Sequence, residues 1–195
     1  SFISGQQSHT ISAKGYHAPQ FRTGYEYVIG SRTDAMFCHN AKRDGKVKEI
    51  TKNGVIVEYK DGTTEGFALG IVYGKAEGSI YPHKVKTDLR EGQSFKEGDN
   101  VVYNEGFFEK DTLDPNSVLM KNSMTVKVAL LETSQTHEDS CAISKNLGEK
   151  FRASTTKMKS ILVDFTQSLH EVVSVGQKVD PKTYLLTITD DISEG

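Results

Sequence analysis

The sequence predicts a mainly β protein with few short helices. Glycine is abundant, at 17 of 195 residues, and apolar patterns of helical period are scarce. Runs rich in β-branched and aromatic residues are also separated by Asn-Gly and Asp-Gly pairs. In chain order, residues 6–13 are a first, short helix candidate. Residues 47–50, 55–59 and 63–69 read as a three-stranded meander turning at Asn53-Gly54 and Asp61-Gly62, where both turn positions favour positive φ. Residues 81–86 and 101–103 read as strands, and residues 111–122, with Asp114-Pro115-Asn116, read as a loop. Residues 124–131, 159–165 and 184–189 have strand length and β-branched or aromatic content. Ser144 is placed to cap a short helix over residues 145–150.

An internal echo adds to this picture. Gly92-Gln93-Ser94-Phe95-Lys96-Glu97-Gly98, followed by Val101-Val102-Tyr103, is similar to Gly176-Gln177-Lys178-Val179-Asp180-Pro181-Lys182, followed by Tyr184-Leu185-Leu186. Each copy sets a glycine turn before a polar hairpin, an inward apolar residue, and a second turn into a strand. That spacing suits the corners of small β-barrels and barrel-sandwich hybrids.

Composition narrows the function classes. A net charge of −2 provides no overall basic field for non-specific nucleic-acid binding, so any such contact must be local. No apolar run approaches the ~20 residues of a membrane span, and no charged-then-apolar leader opens the chain. The chain is therefore expected to be soluble and cytoplasmic. Cys38 and Cys141 form neither a metal spacing nor a disulfide framework, which fits a reducing compartment. Because it opens on Ser1, the chain is expected to be a processed product, an engineered segment or a piece of something longer.

The most informative stretch is residues 126–144, which set Glu138-Asp139 between two apolar runs. Adjacent strand residues point to opposite faces, so two neighbouring carboxylates reach one ion only where the chain turns. Thr133-Ser134-Gln135-Thr136 supplies polar residues for such a bend. The pair also reads as a solvated turn.

Several motifs in order resemble the central part of the β subunit, the second-largest catalytic subunit, of multisubunit DNA-directed RNA polymerases. His137-Glu138-Asp139-Ser140-Cys141-Ala142-Ile143-Ser144 resembles the family's F-E-D-A-I-L-I-S element. Ala41-Lys42-Arg43-Asp44-Gly45-Lys46-Val47 is similar to its A-K-R-x-G-x-V meander, and Pro19 with Thr23-Gly24-Tyr25-Glu26 to its P-x-x-x-T-G-x-E segment. Residues 4–9 resemble its glutamine-containing element, with Gln7 and His9 at the two Gln positions. The stretch from Asp88 resembles the pattern before the acidic element, and residues 172–189 the opening of a barrel-sandwich hybrid. The order of these motifs along nearly the whole chain carries the resemblance. His9, His137 and Ser140 depart from the family pattern, as a phage or viral version would. The family's basic G-x-H-G-x-K-G region would lie beyond Gly195, and its D-x-D-x-D loop belongs to the partner subunit.

The resemblance implies two-metal nucleotidyl transfer. Glu138 and Asp139 would be the catalytic and metal-binding residues, near a Mg²⁺ shared with the partner subunit. Gln7, His9 and Arg22 would contact nucleic acid, near the RNA end. A polar helix face for Gln7 and His9, and a surface ion pair for Arg22, are the plainer readings. Lys42, Arg43, Lys46, Lys48 and Lys52 would face downstream DNA or another subunit, or form a solvated face. Cys38-His39 lacks the second pair that a metal site needs.

The resemblance divides the chain into a segment of the catalytic barrel wall (residues 1–26), a β-meander or small barrel module (27–123), and an acidic-pair strand and short helix of a double-psi β-barrel (124–150), with the start of a barrel-sandwich hybrid at 151–195. Expected partners are the other polymerase subunits, especially a β-prime-like chain, with DNA template, RNA transcript and nucleoside triphosphates; no membrane is expected. A viral version would work in the host cytoplasm. Two other classes fit parts of the pattern. One is a non-catalytic β-barrel binding or structural module, such as a phage assembly protein. The other is a lipoyl- or biotinyl-type carrier built on Lys157, although Lys157 enters a strand and a carrier lysine occupies a hairpin tip.

Overall fold

The computed structural model describes residues 12–76, 79–130 and 141–191. Its described residues are mainly β with two short helices, as the sequence predicts. They fall into two compact units, Ser1–Met158 and Lys159–Gly195. In the first unit, helix α1 (Tyr25–Arg32) leads to β1 (Cys38–Asn40), β2 (Gly45–Thr51), β3 (Gly54–Tyr59), β4 (Thr64–Ala68), β5 (Gly70–Ala76) and β6 (Ser79–Lys86). Next come β7 (Ser94–Phe95), β8 (Asn100–Asn104), β9 (Phe108–Lys110), β10 (Val118–Met120) and helix α2 (Lys145–Lys150). The second unit holds β11 (Gln167–His170) and β12 (Thr187–Asp190), an antiparallel pair.

The expected meander is β2, β3 and β4, which with β7 form an antiparallel sheet in the order β4-β3-β2-β7. Alternation along β3 sends Val55, Val57 and Tyr59 into the core. Val47 and Ile50 on β2 are three apart, so an unbroken strand would point them to opposite faces. A register shift between Val47 and Glu49 leaves Lys48 as an extra residue, and both apolar side chains pack on the core. The turns differ from expectation. The β2–β3 loop is Lys52-Asn53, without positive φ, and Thr51 Oγ1 closes it by accepting from Asn53 N and donating to Gly54 O. In the next turn only Gly62 has positive φ, at 81°, because Asp61 Oδ1 instead accepts from Thr63 N and Thr63 Oγ1.

A second sheet, in the order β1-β8-β6-β5, packs with the first around Val47, Val55, Val57, Val85, Phe95, Val101 and Val102. A smaller cluster of Cys38, Tyr103, Phe108 and Val118 lies against Phe37 and Ile29. β8 feeds both clusters. Asn100 Nδ2 reaches His39 O and Asn40 Oδ1, at 3.3 and 3.1 Å, across the bulged end of β1.

Ser144 caps α2 as expected, its Oγ accepting from Leu147 N at 3.2 Å. The helix expected over residues 6–13 lies almost wholly outside the described residues. Helix α1 was not foreseen, because it buries Glu26 and Gly30 where an apolar stripe would be sought. Its signal is polar: in Thr23-Gly24-Tyr25-Glu26, Glu26 Oε2 accepts from Thr23 N and Thr23 Oγ1 accepts from Tyr25 N, a side-chain clasp around the N-cap Gly24, which has no side chain to cap with. A Cβ on Gly30 would meet Asn40 Nδ2 at 2.9 Å and Cys38 Sγ at 3.0 Å, so glycine permits the close approach of α1 to β1.

Other expectations are corrected. The loop expected over 111–122 contains β10, which pairs with β9. The described part of the strand expected over 124–131 is not a strand, and Val128 and Leu130 are exposed. Residues 159–165 form no strand either, and β12 begins three residues later than expected. These segments have β propensity but no neighbouring strand among the described residues, and propensity expresses packing on a sheet more than a backbone preference. The echo does recur in three dimensions. Gly92 and Gly176 both have positive φ, and Gln93 and Gln177 each return a side-chain oxygen to the backbone amide three residues earlier.

Gly45→Ala would drive a Cβ to 2.5 Å from Glu58 O and 2.8 Å from the Phe95 ring. The expected loss is about 1–3 kcal/mol in urea unfolding. A Cβ on Gly62 meets nothing within 4 Å, so Gly62→Ala should cost only the left-handed backbone penalty of about 1–2 kcal/mol.

Candidate functional site

Of the five residues that the sequence nominates, Arg22 lies within the described structure; Gln7, His9, Glu138 and Asp139 lie outside the described residues. The segment before Arg22 is tied down from both sides. Gly15 N donates to Lys150 O at 2.8 Å, His17 bridges to Ser123, and Ala18 N donates to Glu109 Oε1 at 2.7 Å. A Cβ on Gly15 would lie 2.6 Å from Lys150 Cβ, so this approach requires glycine.

Anchored in this way, Arg22 makes a two-pronged contact with Asp111. Both guanidinium NH groups donate to the carboxylate at 2.7 Å, the fork geometry of a strong charge-assisted pair. Arg22 also donates to the Tyr27 hydroxyl at 2.7 Å, and Asp111 Oδ1 accepts from Leu113 N at 2.8 Å. The Asp111 side chain is fully buried, while that of Arg22 is 21% exposed. Hydrogen bonding from Arg22 holds the Asp111 carboxyl below its ordinary range, and the same contact raises the guanidinium's pKa. Asp111 was missed because it lies 89 residues away within a segment read as a loop. No sequence spacing points to it.

Beside this pair lies a cleft of about 460 Å³, lined in part by His17, Gln20, Arg22, Lys110 and Leu113. Arg22 offers it one partly exposed face of a charge already matched by Asp111. The arrangement therefore fastens the segment of residues 12–22 and α1 to the β9–β10 hairpin. It leaves little net charge to attract a phosphate.

Three of the five basic residues around the hairpin are likewise matched from within. Lys42 pairs with Glu65 at 2.6 Å, Arg43 with Asp61, and Lys46 with Glu58 at 3.9 Å. Lys48 and Lys52 are exposed, and no ion pair involves them among the described residues. The larger cleft beside this hairpin, about 660 Å³, has Lys46, Lys60 and Lys96 offset by Asp44, Glu58 and Asp99. Cys38 and His39 do not form a ligand pair. Burial pushes the Cys38 thiol up to about 12, and Asn100 Nδ2 lies 3.3 Å from its sulfur. The His39 ring lies on Phe67 with centroids 4.4 Å apart, and burial lowers its pKa despite Glu65 at 3.8 Å. Among the described residues no group of three or more His, Cys, Asp or Glu is placed to hold a metal ion, and no helix is long and apolar enough to cross a membrane.

No model of a known protein family matches the chain, and no curated protein sequence matches it.

The pair of Arg22 and Asp111 has a defined pH signature. The folded-state pKa of Asp111 is lowered from its unfolded value of about 3.9, so its contribution is complete above that value and is lost as pH falls through the folded pKa. Arg22→Ala should lower the melting temperature by several degrees at neutral pH. That deficit should shrink as pH is lowered from about 4 towards 2. A deficit unchanged across this range would mean that Arg22 contributes packing and not charge pairing.

Proposed function

We propose that the chain is a fragment or split piece of a DNA-directed RNA polymerase β subunit, of a divergent phage or viral kind. The observation that carries this reading is the order of motifs from Gln7 through Lys42-Arg43 to Glu138-Asp139 and Gly176. It is supported by the mainly β architecture and by apolar side chains that stand uncovered in residues 159–191, where none of the described residues is buried. Such a chain calls for strands supplied by others.

In this reading Glu138 and Asp139 are the catalytic carboxylates that hold Mg²⁺, directly or through water, with the principal ligands contributed by the β-prime-like partner. When bound, Mg²⁺ supplies charge stabilisation of the attacking and leaving oxygens during nucleotide addition. Gln7 and His9 donate to or accept from the RNA near its growing end. Arg22, held by Asp111, supports the same nucleic-acid-facing wall electrostatically. Residues 124–150 belong to the double-psi barrel, and residues 151–195 open the barrel-sandwich hybrid.

The internal matching of Arg22 and of the basic hairpin favours a second reading, a non-catalytic β-barrel module of an assembly or virion. The two are separated by purifying the tagged chain from its native setting, identifying the bound chains and assaying template-directed nucleotide incorporation. The polymerase reading expects a partner carrying a D-x-D-x-D loop, with incorporation. A solitary or virion-bound chain without incorporation supports the second reading.

In the assembled enzyme, replacing both Glu138 and Asp139 by Ala should slow nucleotide addition and raise the Mg²⁺ requirement without loss of assembly. Unchanged elongation at limiting Mg²⁺ would remove the site assignment. The isolated chain should incorporate no nucleotide at any Mg²⁺ concentration, and clear activity from it alone would overturn the split-site reading.

A further inference from the structure

Directly opposed residues of an antiparallel pair share a face of the sheet. Ile71 is opposed by Lys84, Tyr73 by Pro82 and Lys75 by Ile80, and on the β8 side Lys86 is opposed by Tyr103. Val72 and Val85, which alternate with them, pack on the larger core, so these side chains stand on the other face of the second sheet. Towards β1 that face is covered, because Tyr103 and Cys38 are buried with Phe108 and Val118. Over β5 and β6 it is open. Ile71 and Tyr73 are 54% and 55% exposed, and the Lys84 side chain 66%. Its charge is lopsided. Lys84 and Lys86 share the carboxylate of Glu105, and Lys121 Nζ donates to Glu105 O at 2.6 Å. Lys86 Nζ also lies 5.0 Å from the centre of the Tyr103 ring, whose hydroxyl donates to Asp88, and Asp88 pairs with Lys110. Lys75 is exposed, with no ion pair among the described residues. Among the described residues, five lysines in this row thus meet two carboxylates, in a chain whose net charge is −2.

We propose that this face binds single-stranded nucleic acid, with one base stacked on Tyr73 and the flanking phosphates held by Lys75 and Lys84. The excess of lysine selects a polyanion. The exposed ring among the lysines selects one with unpaired bases, because every base has a π face to lay on an aromatic side chain. Lys75 is two residues from Tyr73 on β5, and Lys84 is two residues from Pro82 on β6, in the opposite direction along the sheet. Each lysine therefore starts about 7 Å along the strands from the ring, one on either side. Pro82 and Ile71 extend the apolar floor next to Tyr73, and Lys86 and Lys121, sharing one glutamate with Lys84, continue the track towards β8. A duplex keeps its bases stacked on one another and would gain only the charge. This assignment does not use Gln7, His9 or Glu138-Asp139 and does not depend on the polymerase reading.

The test uses the full chain and a short fluorescein-labelled oligothymidine, with anisotropy read over a salt series. Binding is expected to weaken as salt rises, with a log-log slope of about −2 for three phosphate contacts. Tyr73→Ala should weaken it roughly tenfold. Glu105→Gln frees Lys84 and Lys86 from their shared carboxylate and should tighten binding several-fold while steepening the slope, an effect that a damaged fold would not produce. Lys48→Gln with Lys52→Gln, on the meander hairpin, should leave binding nearly unchanged. Absence of binding at low salt overturns the proposal, as does binding indifferent to Tyr73→Ala or to Glu105→Gln. So does a hairpin variant that weakens binding as much as Tyr73→Ala. Adsorption to phosphatidylserine vesicles without oligonucleotide binding would assign the face to a membrane surface and likewise overturn it.

Discussion

Burial of β8 on both faces is the constraint on which the first unit depends. Val101 and Val102 enter the larger cluster and Tyr103 the smaller, while the backbone of the strand is held by β1 on one side and β6 on the other. Full burial of a valine contributes about 1.5–3 kcal/mol, but the greater effect is geometric. A one-residue shift of register would exchange Tyr103 of the smaller cluster with a valine of the larger one. Asn100, at its start, strengthens this by hydrogen bonding to the bulged end of β1, so the unit's polar and apolar ordering meet at one strand.

Electrostatics then fasten the periphery. Arg22 and Asp111 connect the segment before α1 to the β9–β10 hairpin, and Glu65 gathers Lys42 and the Tyr59 hydroxyl at the rim of the meander's core-facing side. The pairs on the meander are largely exposed and contribute little each. Their main consequence is to neutralise Lys42, Arg43 and Lys46 in a stretch that looks basic when read linearly. The buried carboxylate of Asp111 differs, since loss of its partner would strand a charge away from water.

The second unit has another balance. Phe165 and Val175 are fully exposed, Leu162 nearly so, and an antiparallel pair of four-residue strands is its only sheet among the described residues. A two-stranded ribbon with uncovered apolar side chains has little stability of its own in water. Its ordering comes from local devices. Gln177 and Thr183 close turns on the amides of Ser174 and Asp180, and Asp180 accepts from Lys182 N and Thr183 Oγ1.

Local chemistry determined what the sequence could show by itself. The meander was legible in the alternation of Val55, Val57 and Tyr59, the α2 cap in Ser144, and the paired glycine turns in Gly92 and Gly176, because each depends on neighbours a few residues away. Tertiary structure decided the rest. Helix α1 buries Glu26 and Gly30, positions chosen by the approach of β1 and invisible to apolar periodicity. Residues 124–130 have strand composition but no neighbouring strand among the described residues, and Arg22 found its partner 89 residues away in a segment read as a loop. Spacing along a chain encodes turns, caps and alternation; which distant surfaces meet depends on how the whole core closes.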